Sequence, residues 1–258
     1  MKKSILFAIV LGVYLLSCAP SFALKFDNNI TIFDNYSSSA TGWHGAQEDN
    51  EVEPGMVANQ GWDLEGFFQD GNILSLVGGF NFMLGNGGVM SGDVFIDVDG
   101  PPVYGKDSRA GSNGNYSVSN TYGYDFVFDL DLGNMSYRVF NIDATTELQT
   151  AYYVQNEGSS PWQYDAGDKV AIADGSLEFI ESLTDSVTGF SGLSHYALTG
   201  LDLSFLGHGN NFYSHFTMGC GNDNLMGQGT TVPEPSTVLL LGSGLLGIVW
   251  LVRKRKKA

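Results

Sequence analysis

The segment Ser91-Gly92-Asp93-Val94-Phe95-Ile96-Asp97-Val98-Asp99-Gly100 sets two carboxylates two residues apart, just before a glycine that permits a turn. Residues i and i+2 of a strand share a face, so Asp97 and Asp99 are expected to point the same way at a strand end. Hard carboxylate oxygens in that arrangement suit Ca²⁺. The segment is not a complete calcium loop, because the D-x-D-x-D-G spacing is absent and no Glu stands at the closing position. A hairpin with solvated carboxylates is the alternative. His208, His215, Cys220 and Asp223 are zinc-ligand types, but six and then four residues separate the first three, which is no structural zinc spacing.

Carboxylate pairs that glycoside hydrolysis would need are present, for instance Asp129 with Asp131 and Glu178 with Glu181. A chain this rich in acids produces such pairs by composition alone, and Glu178 and Glu181, three apart on a strand, would face opposite sides. No G-x-S-x-G elbow, P-loop or HExxH occurs. No catalytic residue is assigned, and a secreted hydrolase acting on glycans stands as the alternative function. His44 and His195 read as surface or core residues. Trp43, Trp62, Trp162, Tyr152, Tyr153 and Tyr164 fall in or near expected loops. Aromatic faces laid against sugar C–H surfaces make a polysaccharide platform; core packing of the same rings is the competing reading.

These side chains must be carried by strands. Glycine is abundant, at 34 residues, and no long apolar stripe of helical period appears outside the termini. Strands are expected at 30–33, 66–69, 73–77, 81–84, 94–97, 124–132, 136–141, 151–154, 176–182, 196–205 and 211–218. Tyr124 to Leu132 alternates most clearly, with Phe126, Phe128, Leu130 and Leu132 on one face and Asp125, Asp129 and Asp131 on the other. Asp70-Gly71, Asn86-Gly87, Asp99-Gly100 and Asn113-Gly114 are turn signals. The pattern predicts an all-β, jelly-roll-like β-sandwich, with long loops at 42–60 and 105–123. The weakly hydrophobic stretch 219–231 reads as a linker.

The termini carry handling signals. Met1-Lys2-Lys3, an apolar run from Ser4 to Leu16, and Ser21-Phe22-Ala23 form a secretory signal, residues 1–23. Cleavage after Ala23 is the preferred reading. Leu15-Leu16-Ser17-Cys18 also resembles a bacterial lipobox, in which Cys18 would be lipidated. After cleavage at Ala23, Cys220 is the remaining cysteine, expected to be buried. From Leu24 to Thr231 five Lys and Arg stand against 27 Asp and Glu, a net charge of −22. That charge argues against nucleic acid as a partner and suits an extracellular protein or one that meets divalent cations. At the other end, Pro233 and Pro235 fix an extended backbone. Val238 to Val252 is an uncharged run of 15 residues, 17 with Ser236 and Thr237, followed by five cations, Arg253 to Lys257. This is the short limit for a single transmembrane helix, with the basic end cytoplasmic and the ectodomain periplasmic.

Val232-Pro233-Glu234-Pro235-Ser236-Thr237, the Gly-rich apolar run and the basic end together resemble the PEP-CTERM sorting signal, here residues 232–258. The resemblance implies recognition of Pro233, Glu234 and Pro235 by exosortase, a membrane protease-transpeptidase that accompanies exopolysaccharide production. It also implies delivery to the cell surface or extracellular matrix. Trp62-Asp63-Leu64-Glu65, Ser91 to Asp97 and Phe216 to Asn224 are similar to segments shared by uncharacterised PEP-CTERM proteins, which implies one unit from about Leu24 to Gly229 and brings no activity; by strand pattern alone the β-sandwich ectodomain is 24–218. The expected function is therefore structural or polysaccharide-associated.

Overall fold

The computed structural model describes residues 26, 28–32, 48–49, 52–53, 55–103, 111–165, 167 and 169–233. The secretory segment 1–23 with Cys18, and residues 234–258 with the apolar run, lie outside the described residues. Among the described residues no helix is long and apolar enough to cross a membrane.

The chain is all-β. Its strands are β1 (Thr31–Ile32), β2 (Leu64–Asp70), β3 (Ile73–Gly78), β4 (Val94–Asp97), β5 (Ser117–Ser119), β6 (Phe126–Asp131), β7 (Ser136–Asn141), β8 (Glu147–Gln149), β9 (Gln163–Tyr164), β10 (Ala173–Ser176), β11 (Glu178–Leu183), β12 (His195–Asp202), β13 (Asn211–Thr217) and β14 (Asn224–Thr230). One helical turn, α1 (Asp185–Thr188), and three short 3-10 segments are the described helical structure. Every strand pair is antiparallel. A seven-stranded sheet has the order β1-β14-β13-β4-β6-β7-β10, a four-stranded sheet β11-β12-β3-β2, and a three-stranded sheet β5-β8-β9.

The largest apolar cluster draws from the first two sheets together. Ile96, Phe128, Val139, Phe212 and Phe216 come from the seven-stranded sheet, and Phe67, Leu74, Leu76 and Leu198 from the four-stranded one. A second cluster joins the seven-stranded sheet to the small one, through Phe95, Val127 and Phe140 on one side and Val118, Leu148 and Tyr164 on the other. The alternation expected for β6 therefore holds only in part. Phe128 faces the first cluster, but Val127 between the aspartates is buried in the second. A strand covered on both faces carries apolar residues on both.

Strands 94–97 and 136–141 stand where the sequence pattern places them. Residues 81–84 form a turn instead, because the Asn81 side chain accepts the N–H groups of Met83 (3.1 Å) and Leu84 (2.9 Å), a local bond that competes with a strand ladder. Residues 151–154 lead into the 3-10 segment Val154–Ser159. The expected loop 105–123 contains β5.

The expected linker 219–231 is corrected most fully. Its residues 224–230 are β14, hydrogen-bonded between β13 and β1, with Leu225 and Met226 fully buried. Its glycines serve close packing. A Cβ on Gly227 would lie 3.1 Å from the Phe67 Cβ, and one on Gly229 would lie 2.5 Å from Phe212 Cζ. Its polar residues are interior hydrogen-bonders. Asp223 accepts the Leu64 N–H at 2.6 Å, and the Asn222 side chain pairs with both backbone groups of Val57 at 3.1 Å. Gly227→Val should therefore destabilise the domain by about 1–3 kcal/mol through overpacking. Chemical denaturation of the purified domain checks this; an unchanged midpoint would fit a linker and contradict β14.

Candidate functional site

Five separate segments meet at a groove of about 360 Å³ lined by Gly88, Val89, Met90, Asn115, Tyr152, Tyr153, Trp162, Gly219 and Cys220. The backbone holds them in register. Tyr152 N–H donates to the Gly219 carbonyl (2.9 Å), Gly219 N–H to the Met90 carbonyl (3.0 Å), and Trp162 N–H to the Gln149 carbonyl (3.0 Å). Asn115 Nδ2 donates to the carbonyls of Thr150 (2.8 Å) and Gly219 (3.0 Å). The Trp162 ring lies over Gly219, where a Cβ would sit 3.3 Å from the indole. Tyr152 and Tyr153 meet edge to face at 5.2 Å. Tyr152 is 43 % exposed and Met90 47 %. The Trp162 indole Nε1 is screened from water and has no hydrogen-bond partner among the described residues. No carboxylate lines this groove.

Of the six aromatics singled out by type, Trp162, Tyr152 and Tyr153 converge here. Trp62 instead stacks on Phe80 at 6.4 Å beside the main core, Tyr164 is buried in the second cluster, and Trp43 lies outside the described residues. Asn115 and Met90 carry no local signal; only tertiary proximity puts them at the groove.

The strand-end carboxylates form a different locus. Asp97 and Asp99 do come together, and Asp125 joins them, with one ligand oxygen from each within 4.8 Å of the others. Asp125 was not foreseen. It reaches Asp97 because β4 and β6 pair with Ile96 opposite Phe126, and the Asp125 N–H donates to the Ile96 carbonyl at 2.9 Å. Asp97 Oδ1 accepts the N–H groups of Asp99 and Gly100, both at 3.1 Å, and Asp125 Oδ2 accepts that of Val98 at 2.9 Å. The remaining oxygens are hard donors that fit Ca²⁺. Burial, with Asp125 and Asp99 beside it, pushes the Asp97 carboxyl up to about 6; burial and Asp99 raise Asp125 as well.

A second acidic group, Asp49, Asp63 and Glu65, also brings one oxygen from each within 4.8 Å, and several other carboxylates hold the fold. Asp129 is ion-paired with Arg138 at 2.7 Å, and Asp131 caps Asn134, so that pair is already engaged. Asp93 accepts the N–H groups of Leu130 (2.9 Å) and Tyr164 (2.8 Å), tying β6 to β9 from a fully buried position. His195 is buried with Nδ1 2.7 Å from Glu65 and Nε2 2.9 Å from Asp185, which fastens α1 to β2 and β12. His215 stacks on Tyr124 at 5.5 Å and its Nε2–H donates to the Pro161 carbonyl at 2.7 Å. The set His208, His215, Cys220 and Asp223 does not converge on a metal position; Cys220 is a buried free thiol.

At the carboxy-terminal end of β14, Val232 is 39 % exposed and Pro233 is exposed; Glu234 and Pro235 lie outside the described residues. Residues 231–256 match the PEP-CTERM protein-sorting motif. This motif indicates an exported, exosortase-targeted protein made as a membrane-anchored precursor. No curated protein and no solved structure matches the chain.

The buried acids set the pH response. Burial raises Glu53 and Asp93 to about 7, and Asp97 to about 6, against unfolded values near 4. A raised carboxyl contributes stability that is complete below about pH 4 and is lost as pH climbs through its folded value. His215, lowered by burial to about 4, acts in the opposite sense below about pH 6.5, but it stands against these three carboxyls and against Glu65, which burial raises to about 9, and Asp125, which burial also raises. The melting temperature should rise as pH falls from 8 to about 5, and Asp93→Asn should flatten the slope. A thermal melt series that stays level or declines over that range contradicts the burial of these groups.

Proposed function

We propose that this exported, exosortase-sorted chain is a cell-surface or extracellular-matrix protein that binds polysaccharide without turning it over. In this reading the seven- and four-stranded sheets are the layers of a β-sandwich, and the loops beside them carry the ligand. The observation that supports it is the convergence of Trp162, Tyr152 and Tyr153 with the amide of Asn115 in one groove. Flat rings offer stacking surface to sugar C–H faces, and a side-chain amide fixes orientation. A hydrolase needs two carboxylates facing one bond, roughly 5–9.5 Å apart, and this groove has none among its lining residues. At this groove that favours binding over hydrolysis; a second cavity, about 410 Å³, is lined by Asp129 and Asp131, of which Asp129 is held by Arg138.

The test is a glycan array probed with the purified domain. Binding without product release is expected. Trp162→Ala and Tyr152→Ala should each weaken a positive glycan by about tenfold, since ring stacking contributes on the order of 1 kcal/mol or more. Hydrolysis of the bound glycan, or binding that ignores both substitutions, rejects the groove.

We propose further that Asp97, Asp99 and Asp125 hold Ca²⁺ in the folded domain. The support is their convergence without a basic side chain: the described cations, Arg138 and Lys169, are paired with Asp129 and Asp143. Binding to the folded state alone would add about 2.7 kcal/mol at a hundredfold excess over Kd. Millimolar CaCl₂ should then raise the melting temperature more than NaCl of equal ionic strength, and Asp97→Asn with Asp125→Asn should abolish the difference. Equal responses to the two salts would mean screening alone.

A further inference from the structure

The sorting motif starts where the folded domain is still holding the chain. Gln69 Nε2 donates to the Thr230 carbonyl (2.8 Å). Thr231 N–H donates to the Asn210 carbonyl, and Gly209 N–H to the Thr231 carbonyl, both at 3.0 Å. Val232 is then gripped on both sides by one side chain. Its N–H donates to Asn72 Oδ1 (2.8 Å) and its carbonyl accepts from Asn72 Nδ2 (3.0 Å). Asn72 is itself fixed. It is 8 % exposed, sits in the two-residue turn between β2 and β3 after Gly71 at φ +60°, and its carbonyl accepts the Leu203 N–H at 2.8 Å. The next residue is Pro233.

We propose that Asn72 is a clamp that withholds the backbone just ahead of Pro233-Glu234-Pro235 from exosortase, so that release of Val232 limits processing of the folded precursor. Enzymes that read an extended peptide commonly do so through its main-chain N–H and C=O groups. At Val232 both are already taken. The domain cannot move away from the membrane to compensate. Five residues, 233–237, separate Val232 from Val238, where the apolar run begins, and the six steps between the two span at most ~22 Å. The enzyme therefore meets the motif against the end of the domain formed by the β2–β3 turn and the 3-10 segment Ser204–Leu206. The clamp exists only once β2, β3 and β14 have assembled, so the folded domain itself governs how far the sorting signal can be drawn out. This inference rests on the sorting match and is independent of any glycan in the groove.

The experiment follows processing of the full-length precursor by pulse–chase in a host that contains exosortase. Asn72→Ala should speed processing by roughly tenfold, the factor that one or two net hydrogen bonds supply. A four-residue Gly-Ser insertion between Val232 and Pro233 leaves the clamp and the fold intact and should speed it similarly. In the inserted background Asn72→Ala should add nothing, because the two changes relieve one restraint. Slower or unchanged processing in either single variant overturns the clamp. So does an equal further gain from Asn72→Ala in the inserted background, since that marks general loosening of the domain.

Discussion

The seven-stranded sheet carries apolar side chains on both faces, and hiding both from water is the constraint that the other parts of the structure serve. Along β4, Val94 and Ile96 turn to one side and Phe95 to the other, and all are fully buried. The four-stranded sheet covers the first face and the small sheet β5-β8-β9 the second. Each large side chain so buried contributes about 1.5–3 kcal/mol, so neither cover is dispensable. Asp93 joins the layers at a point where a ladder cannot, by giving its two oxygens to backbone groups of β6 and β9.

Covering the second face also builds the groove. The stretches flanking β5, β8 and β9 bring Asn115, Tyr152 and Trp162 against Met90 and Gly219. Backbone bonds across the junction fix the spacing of the rings before any ligand arrives, which lowers the ordering penalty of binding. The acidic interior has a related consequence. With few cations to pair, Glu53, Asp93 and Asp97 are raised by burial, and the domain gains stability from protons.

The same packing economy reaches the tail. β14 occupies the position between β13 and β1, and its glycines admit the rings of Phe67 and Phe212. The described fold therefore runs into the sorting motif, which begins at residue 231. Fold and sorting motif meet at Val232, whose backbone is held by Asn72 with His208 Nδ1 3.3 Å from the same carbonyl.

Some of this was legible in the chain. Short apolar, β-branched and aromatic runs bounded by turn signals placed β4 and β7, because such side chains suit a pleated, buried strand. The order of Pro-Glu-Pro, apolar run and cations marked the sorting signal, because that information is contiguous and chemical. Asp97 and Asp99 were adjacent enough to be seen as a pair. Asp125 was not, since only the pairing of Ile96 with Phe126 brings it across. The stretch 219–231 misled for a physical reason: glycine and asparagine read as flexibility, whereas here glycine answers to close ring contacts and asparagine to buried backbone groups. Sequence by itself determined the strand class and the destination, because both are written in local pattern. The groove, the third carboxylate and the clamp on Val232 were decided by tertiary structure, because each joins residues whose separation along the chain leaves no local trace.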